Sequence, residues 1–136
     1  MKKLIFLPLI FFVLLASRAT AQEFSLQESI DRGKSVYSSN CSSCHMVNGA
    51  GINGVYPSLK GPDSLLQDTP RLVRSVLKGF PDTTESQYKD VKHRYSLSDQ
   101  QVADVLNYIR NSWGNQAEPV RPGEVQPALK DGGEEE

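Results

Sequence analysis

The chain is short of the residues that hold most metal and redox centres. Its 136 residues include two cysteines, two histidines, two methionines and one tryptophan. Two thiols cannot build a disulfide framework, although they could form one bridge in an oxidising compartment. A zinc site needs about four ligands, and His45 follows Cys44 too closely to resemble finger spacing. An excess of positive charge is also missing. Fifteen basic against 16 acidic residues give a formal net charge of −1, which leaves no basic footprint for nucleic acid. The β-branched runs are too short to build a sheet, and no internal repeat is visible.

Long apolar runs are absent except at the start. Lys2 and Lys3 precede an apolar stretch from Leu4 to Leu15, and Ala19-Thr20-Ala21 follows as an A-x-A site. A basic, an apolar and a small-residue region in that order read as a secretory signal peptide cut after Ala21. At about 12 residues the apolar run is short of the ~20 that span a bilayer. Pro8 interrupts it, so a permanent anchor is the weaker reading. No cysteine stands at the cleavage site to carry a lipid. The expected organisation is a leader over 1–21, one folded domain over 22–115 and an extended acidic tail over 116–136. No membrane span is expected after cleavage. A domain this small has a thin core unless something large and apolar fills it.

The scarce residues are clustered. Cys41-Ser42-Ser43-Cys44-His45 reads C-x-x-C-H, the attachment pattern for a c-type haem. On a helical turn, residues three and four apart share a face. Two thiols so placed can add to the two vinyl groups on one porphyrin edge. The histidine beside them then falls under the iron as proximal ligand. Competing readings are weaker. A thioredoxin-like thiol pair wants a βαβ context, which is missing. Gly49-Ala50-Gly51-Ile52-Asn53-Gly54 is formally G-x-G-x-x-G, but no strand precedes it. A non-haem module with one disulfide stays open and predicts a colourless product.

Helix signals flank the motif. Ser25-Leu26-Gln27-Glu28 is a capping-box pattern starting a helix to about Tyr37. Thr69-Pro70 reads as an N-cap with proline at the first helical position, and Gly79 as the stop. Ser98-Asp99-Gln100-Gln101 is a second capping box. Val102, Val105, Leu106 and Ile109 follow at i, i+3, i+4 and i+7, the pattern of an amphipathic helix. Pro119, Pro122 and Pro127, followed by a run of acids, predict extended chain at the end.

In this order, over about residues 29–115, the features resemble a class I monohaem cytochrome c. They are Gly33 and Tyr37 on a helix, then C-x-x-C-H, then Pro57-Ser58-Leu59-Lys60-Gly61, then a middle helix through Leu77. The last helix, ending at Trp113-Gly114, resembles that of bacterial carriers and oxidoreductase subunits. The resemblance implies an all-α fold of three to four helices around one covalently bound haem c. It implies that the first and last helices cross near Gly33. It also implies that the Pro57 carbonyl accepts a hydrogen bond from the His45 ring, a contact that orients the ligand. The family's distal methionine is expected at position 91 or 92, where this chain has Val91 and Lys92. Met46 is the only methionine beyond the leader and sits on the wrong side of His45. His93 is therefore the first candidate for distal ligand and Lys92 the second; an open sixth position is the third reading.

The expected function is single-electron transfer by a periplasmic carrier, or by a haem subunit of a respiratory oxidoreductase, with redox proteins as partners. Such a protein performs no bond chemistry. An open iron would instead suggest a gas sensor or a peroxidase-like enzyme. Donor, acceptor and potential are not encoded in any motif.

Overall fold

A computed structural model describes residues 23–61, 64–79 and 95–131. The expected leader and the candidate distal ligands His93 and Lys92 lie outside these residues. Among them the fold is all-α. The elements are α1 (Leu26–Asn40), α2 (Ser42–His45), α3 (Ser64–Gln67), α4 (Thr69–Lys78), α5 (Asp99–Arg110) and α6 (Pro122–Asp131). Four of these exceed two turns. The β structure among the described residues is one isolated bridge between Ile52 and Tyr56.

The caps explain where the helices begin. Ser25 Oγ accepts from the Glu28 N–H at 3.4 Å. The Glu28 carboxylate lies toward Arg32, at 3.9 Å. At α5 the capping box is complete, with Ser98 and Gln101 bonded reciprocally. At α4 the cap lies one residue earlier than the sequence suggests. Asp68 rather than Thr69 accepts from the Arg71 N–H, at 3.0 Å, and Thr69 enters the helix. Gly79 ends α4 with φ 83° while its N–H reaches the Ser75 carbonyl.

Helices α1 and α5 form the main crossing. A Cβ on Gly33 would collide with the carbonyl oxygen of Asp104, so only glycine lets the backbones approach this closely. The crossing is locked by a polar cluster. Asp104, 2% exposed, accepts from Ser29 Oγ (2.6 Å), Arg32 Nε (2.8 Å), Arg32 Nη2 (2.9 Å) and Gln100 Nε2 (2.9 Å). Burial alone would raise the Asp104 pKa. The hydrogen bonds from Arg32, Ser29 and Gln100, with the Arg32 charge, outweigh it and hold the carboxyl below its ordinary value.

The end of the chain corrects the expectation of an extended tail. Residues 116–121 are irregular, but α6 follows and packs on α4 and α5. Pro122, taken as a breaker, instead opens the helix, where a missing N–H costs nothing. Arg121 N–H donates to Glu124 Oε2 at 2.6 Å in a reciprocal cap. Val125 and Ala128 then fall on one face and are buried. Asn107 grips the approach to α6 from both sides: its Nδ2 donates to the Val120 carbonyl at 2.8 Å and its Oδ1 accepts the Val120 N–H at 2.7 Å. Arg110 donates to Thr69 Oγ1 at 2.7 Å and ties α5 to the start of α4.

Candidate functional site

The C-x-x-C-H segment forms where α1 ends. Cys41 is the C-cap of α1, its N–H bonded to the Tyr37 carbonyl at 2.8 Å. The chain then makes one further turn, α2. The N–H groups of Cys44 and His45 both return to the Cys41 carbonyl, at 3.2 and 2.9 Å. This turn brings the two thiols and the imidazole together. Both cysteines are free and partly buried, and His45 is 5% exposed.

The His45 ring is fixed from behind. Its Nδ1 lies 3.0 Å from the Pro57 carbonyl oxygen. A carbonyl can only accept, so Nδ1 carries the proton and Nε2 is the ring nitrogen that could hold a metal. Gly51 makes this approach possible. With φ at 65°, a side chain there would meet the Pro57 and Tyr56 carbonyls. The Gly51 N–H also donates to the His45 carbonyl, at 2.9 Å. Behind the turn, Tyr37 Oη donates to the Met46 carbonyl at 2.7 Å, and its ring packs on Tyr108 and Trp113 with centroids 5.3 and 5.2 Å away. Burial pushes the Tyr37 phenol well above its usual range, so it remains a donor.

Cys41 and His45 face a cleft of about 610 Å³, part of it open to solvent. Its walls are Leu72 and Val76 of α4, Leu106 and Ile109 of α5, Leu59 after Pro57, and Leu97 before α5. Ser75 also lines it, with its hydroxyl bonded to the Arg71 carbonyl at 2.8 Å. No charged side chain lines the cleft among the described residues. Burial, with the neighbouring Cys44 adding to it, raises the Cys41 thiol to about 11. The donors at its mouth are a thiol pair and one oriented imidazole. Apolar walls with these donors suit a porphyrin. They do not suit a lone cation, and among the described residues no cluster of three His, Cys, Asp or Glu could hold one.

The comparisons with known proteins agree with this chemistry. The cytochrome c family model matches residues 30–113, more than half of the chain. The chain belongs to the cytochrome c family. As a cytochrome c it carries covalently bound haem c. It is 38% identical over 98 residues to the cytochrome c subunit of alcohol dehydrogenase (quinone) from Gluconobacter oxydans, covering 68% of this chain and 20% of the relative. It is 33% identical over 97 residues to the Cbb3-type cytochrome c oxidase subunit FixP of a Bradyrhizobium species, covering 68% and 32%. Cytochrome c-552 of Thermus thermophilus is 32% identical over 112 residues, covering 76% of this chain and 70% of the relative. The chain thus spans about a fifth of the dehydrogenase subunit's length.

Several residues of the site escape sequence reading. Asn115 is one of them. Its Nδ2 donates to the Leu59 and Ile109 carbonyls, both at 2.7 Å, and its Oδ1 accepts the Gly61 N–H at 2.9 Å. It staples the loop after Pro57 to the end of α5. The one available signal was an amide residue directly after the helix-ending Trp113-Gly114. Tyr95 and Leu97 line the cleft from the segment before α5 and carry no periodic pattern.

Proposed function

We propose that the protein is a periplasmic c-type electron carrier, or an electron-transfer subunit of a respiratory oxidoreductase, exported by its leader. Cys41 and Cys44 hold one haem c by thioether bonds and His45 is the proximal ligand. His93 is the first candidate for the distal position, ahead of Lys92. The observation that carries the reading is the His45 ring, oriented by the Pro57 carbonyl beside two thiols at the mouth of an uncharged apolar cleft. When bound, haem c supplies an iron that gains and loses one electron. The protein's own contribution is to orient the imidazole, exclude water with Leu72, Val76, Leu106 and Ile109, and keep charge out of the cleft. A low dielectric and a nitrogen donor in place of methionine both bear on the potential. Relatives named as dehydrogenase and oxidase cytochrome subunits support the subunit form. The relative named cytochrome c-552, largely covered by this chain, supports a domain that stands alone. The open-site alternative draws no support from the cleft, which offers no catalytic carboxylate or lysine among its described residues.

The test is the visible and EPR spectrum of the matured protein, with and without carbon monoxide on the reduced form. A low-spin spectrum that carbon monoxide does not move is the expected outcome. A high-spin spectrum shifting with carbon monoxide would favour the open-site reading. Cys41→Ser/Cys44→Ser should release all haem to acidified organic solvent, and His93→Ala should alter the low-spin spectrum.

A further inference from the structure

The fold buries a cation without giving it a counter-charge. Among the described residues, the buried Asp, Glu, Lys and Arg side chains are Asp104 and Arg110. Asp104 is neutralised by Arg32, 2.8 Å away. Arg110, 3% exposed, has no such partner among the described residues. Its Nη1 donates to the neutral Thr69 hydroxyl at 2.7 Å, and its Nε is buried with no hydrogen-bond acceptor. We infer that the Arg110 guanidinium is a fixed cation that raises the reduction potential of the haem in the adjoining cleft; this rests on the electron-transfer reading above.

Helix geometry places the charge at one end of that cleft. Residues three and four apart share a helix face. Leu106, a wall residue, lies four residues before Arg110 on α5. Leu72, another, lies three residues after Thr69 on α4. The Arg110–Thr69 bond therefore joins the two cleft-lining faces about one turn beyond their wall residues. On its far side Arg110 borders a second hollow of about 750 Å³, part of it open to solvent, with Trp113 and Asn115 among its walls. No carboxylate lines that hollow among the described residues. Arg74 Nη1 is also buried without a partner, but the Arg74 side chain is half-buried. It stands two residues from both Leu72 and Val76, off the cleft face.

Burying a cation in this way costs desolvation that no ion pair repays. Burial pushes the guanidinium below its ordinary pKa, yet an arginine in a protein stays charged. Glu118 and Glu124 oppose it from exposed positions, where salt screens them, and Glu124 is bonded to the Arg121 N–H. Ferric haem carries one positive charge more than ferrous haem. A fixed cation behind an apolar wall therefore opposes oxidation, through a medium that salt does not enter. The cleft can stay uncharged, as its lining requires, while the charge acts from behind it.

Reversible voltammetry of the holoprotein at 1 M salt tests the inference, because the screening length is then about 3 Å and exposed charges drop out. At the wild-type midpoint, Arg110→Met should lower the ferrous-to-ferric ratio by at least about threefold, or about 28 mV at 59 mV per tenfold. Arg110→Lys keeps the charge and should recover at least about half of that shift. Lys34→Met removes an exposed cation on α1 and should leave the ratio within about 1.5-fold. Thr69→Val removes the anchoring hydroxyl at a half-buried position and should move the ratio in the same direction as Arg110→Met. An unchanged potential in folded Arg110→Met overturns the inference, as does Arg110→Lys falling as far as Arg110→Met. If the Arg110 variants do not fold, an unchanged potential in Thr69→Val overturns it. Each of these outcomes leaves the carrier reading in place. A wild type without a reversible one-electron couple overturns both.

Discussion

Helix α5 has two working faces, and they are built on opposite principles. Toward α1 it presents Asn107, Asp104, whose backbone closes on Gly33, and the Tyr108 side chain, a face of specific hydrogen bonds in a crossing that admits no extra atom. Toward α4 it presents Leu106 and Ile109, which line a cleft whose polar atoms are few. The crossing is complete within the chain, whereas the cleft is complete only when a cofactor fills it. A small domain that relies on a cofactor for its core still needs a fixed register to present thiols and imidazole together. The polar crossing supplies that register, because a buried carboxylate with four donors tolerates one arrangement and not its neighbours.

The strongest way to break the comparison is at the crossing itself. Gly33→Ala places a methyl group against the Asp104 carbonyl. It should cost about 3 kcal/mol or more, since backbone rather than a movable side chain must yield. Denaturant unfolding of the holoprotein measures it, and wild-type stability would show that the crossing has slack.

Asp104→Asn tests the lock without changing shape. Arg32 is half exposed, so the loss should be about 2 kcal/mol, below that of a fully buried pair. The effect should depend on pH. The folded carboxyl titrates below its ordinary value of 3.8. Its stabilisation is therefore fully present above about pH 4 and disappears as the pH falls through the lower folded value. Wild type should lose stability on that acid limb more steeply than Asp104→Asn, and parallel acid curves would remove Asp104 from the account.

The smallest effect joins the two faces. Tyr37 is packed on Tyr108 at the crossing and bonded to Met46 beside the haem turn. Tyr37→Phe keeps the packing and loses one hydrogen bond, worth about 1 kcal/mol in unfolding. If the crossing positions the turn through this residue, the low-spin spectrum or the potential should shift as well. A stability loss with neither change would mean that the two faces act independently.

Much of this was legible in the sequence because the signals are local. The C-x-x-C-H spacing, the N-caps at Ser25 and Ser98, the i, i+3, i+4, i+7 pattern of α5 and the stop at Gly79 depend on neighbours a turn or less away, although only the Ser98 box closes reciprocally. Asp104 was not legible as a lock. In the sequence it is one carboxylate within an apolar run, and its donors Ser29 and Arg32 lie more than seventy positions earlier. Asn115 hides for the same reason, since its partners include Leu59 and Gly61. The tail was misread because prolines and acids dominate its composition, while Val120, Val125 and Ala128 matter only once α4 and α5 offer a surface to bury them.

By itself the sequence determined the cofactor chemistry and the helical class, because each rests on residue identity at fixed short spacing; the meeting of two helices at Gly33 and the Pro57 carbonyl behind His45 came from the family resemblance. Tertiary structure alone decided which donors neutralise Asp104, how Asn115 ties the loop after Pro57 to α5, and that residues 122–131 fold back as a helix. Those outcomes depend on groups far apart in the chain, brought within hydrogen-bond reach only when the helices pack.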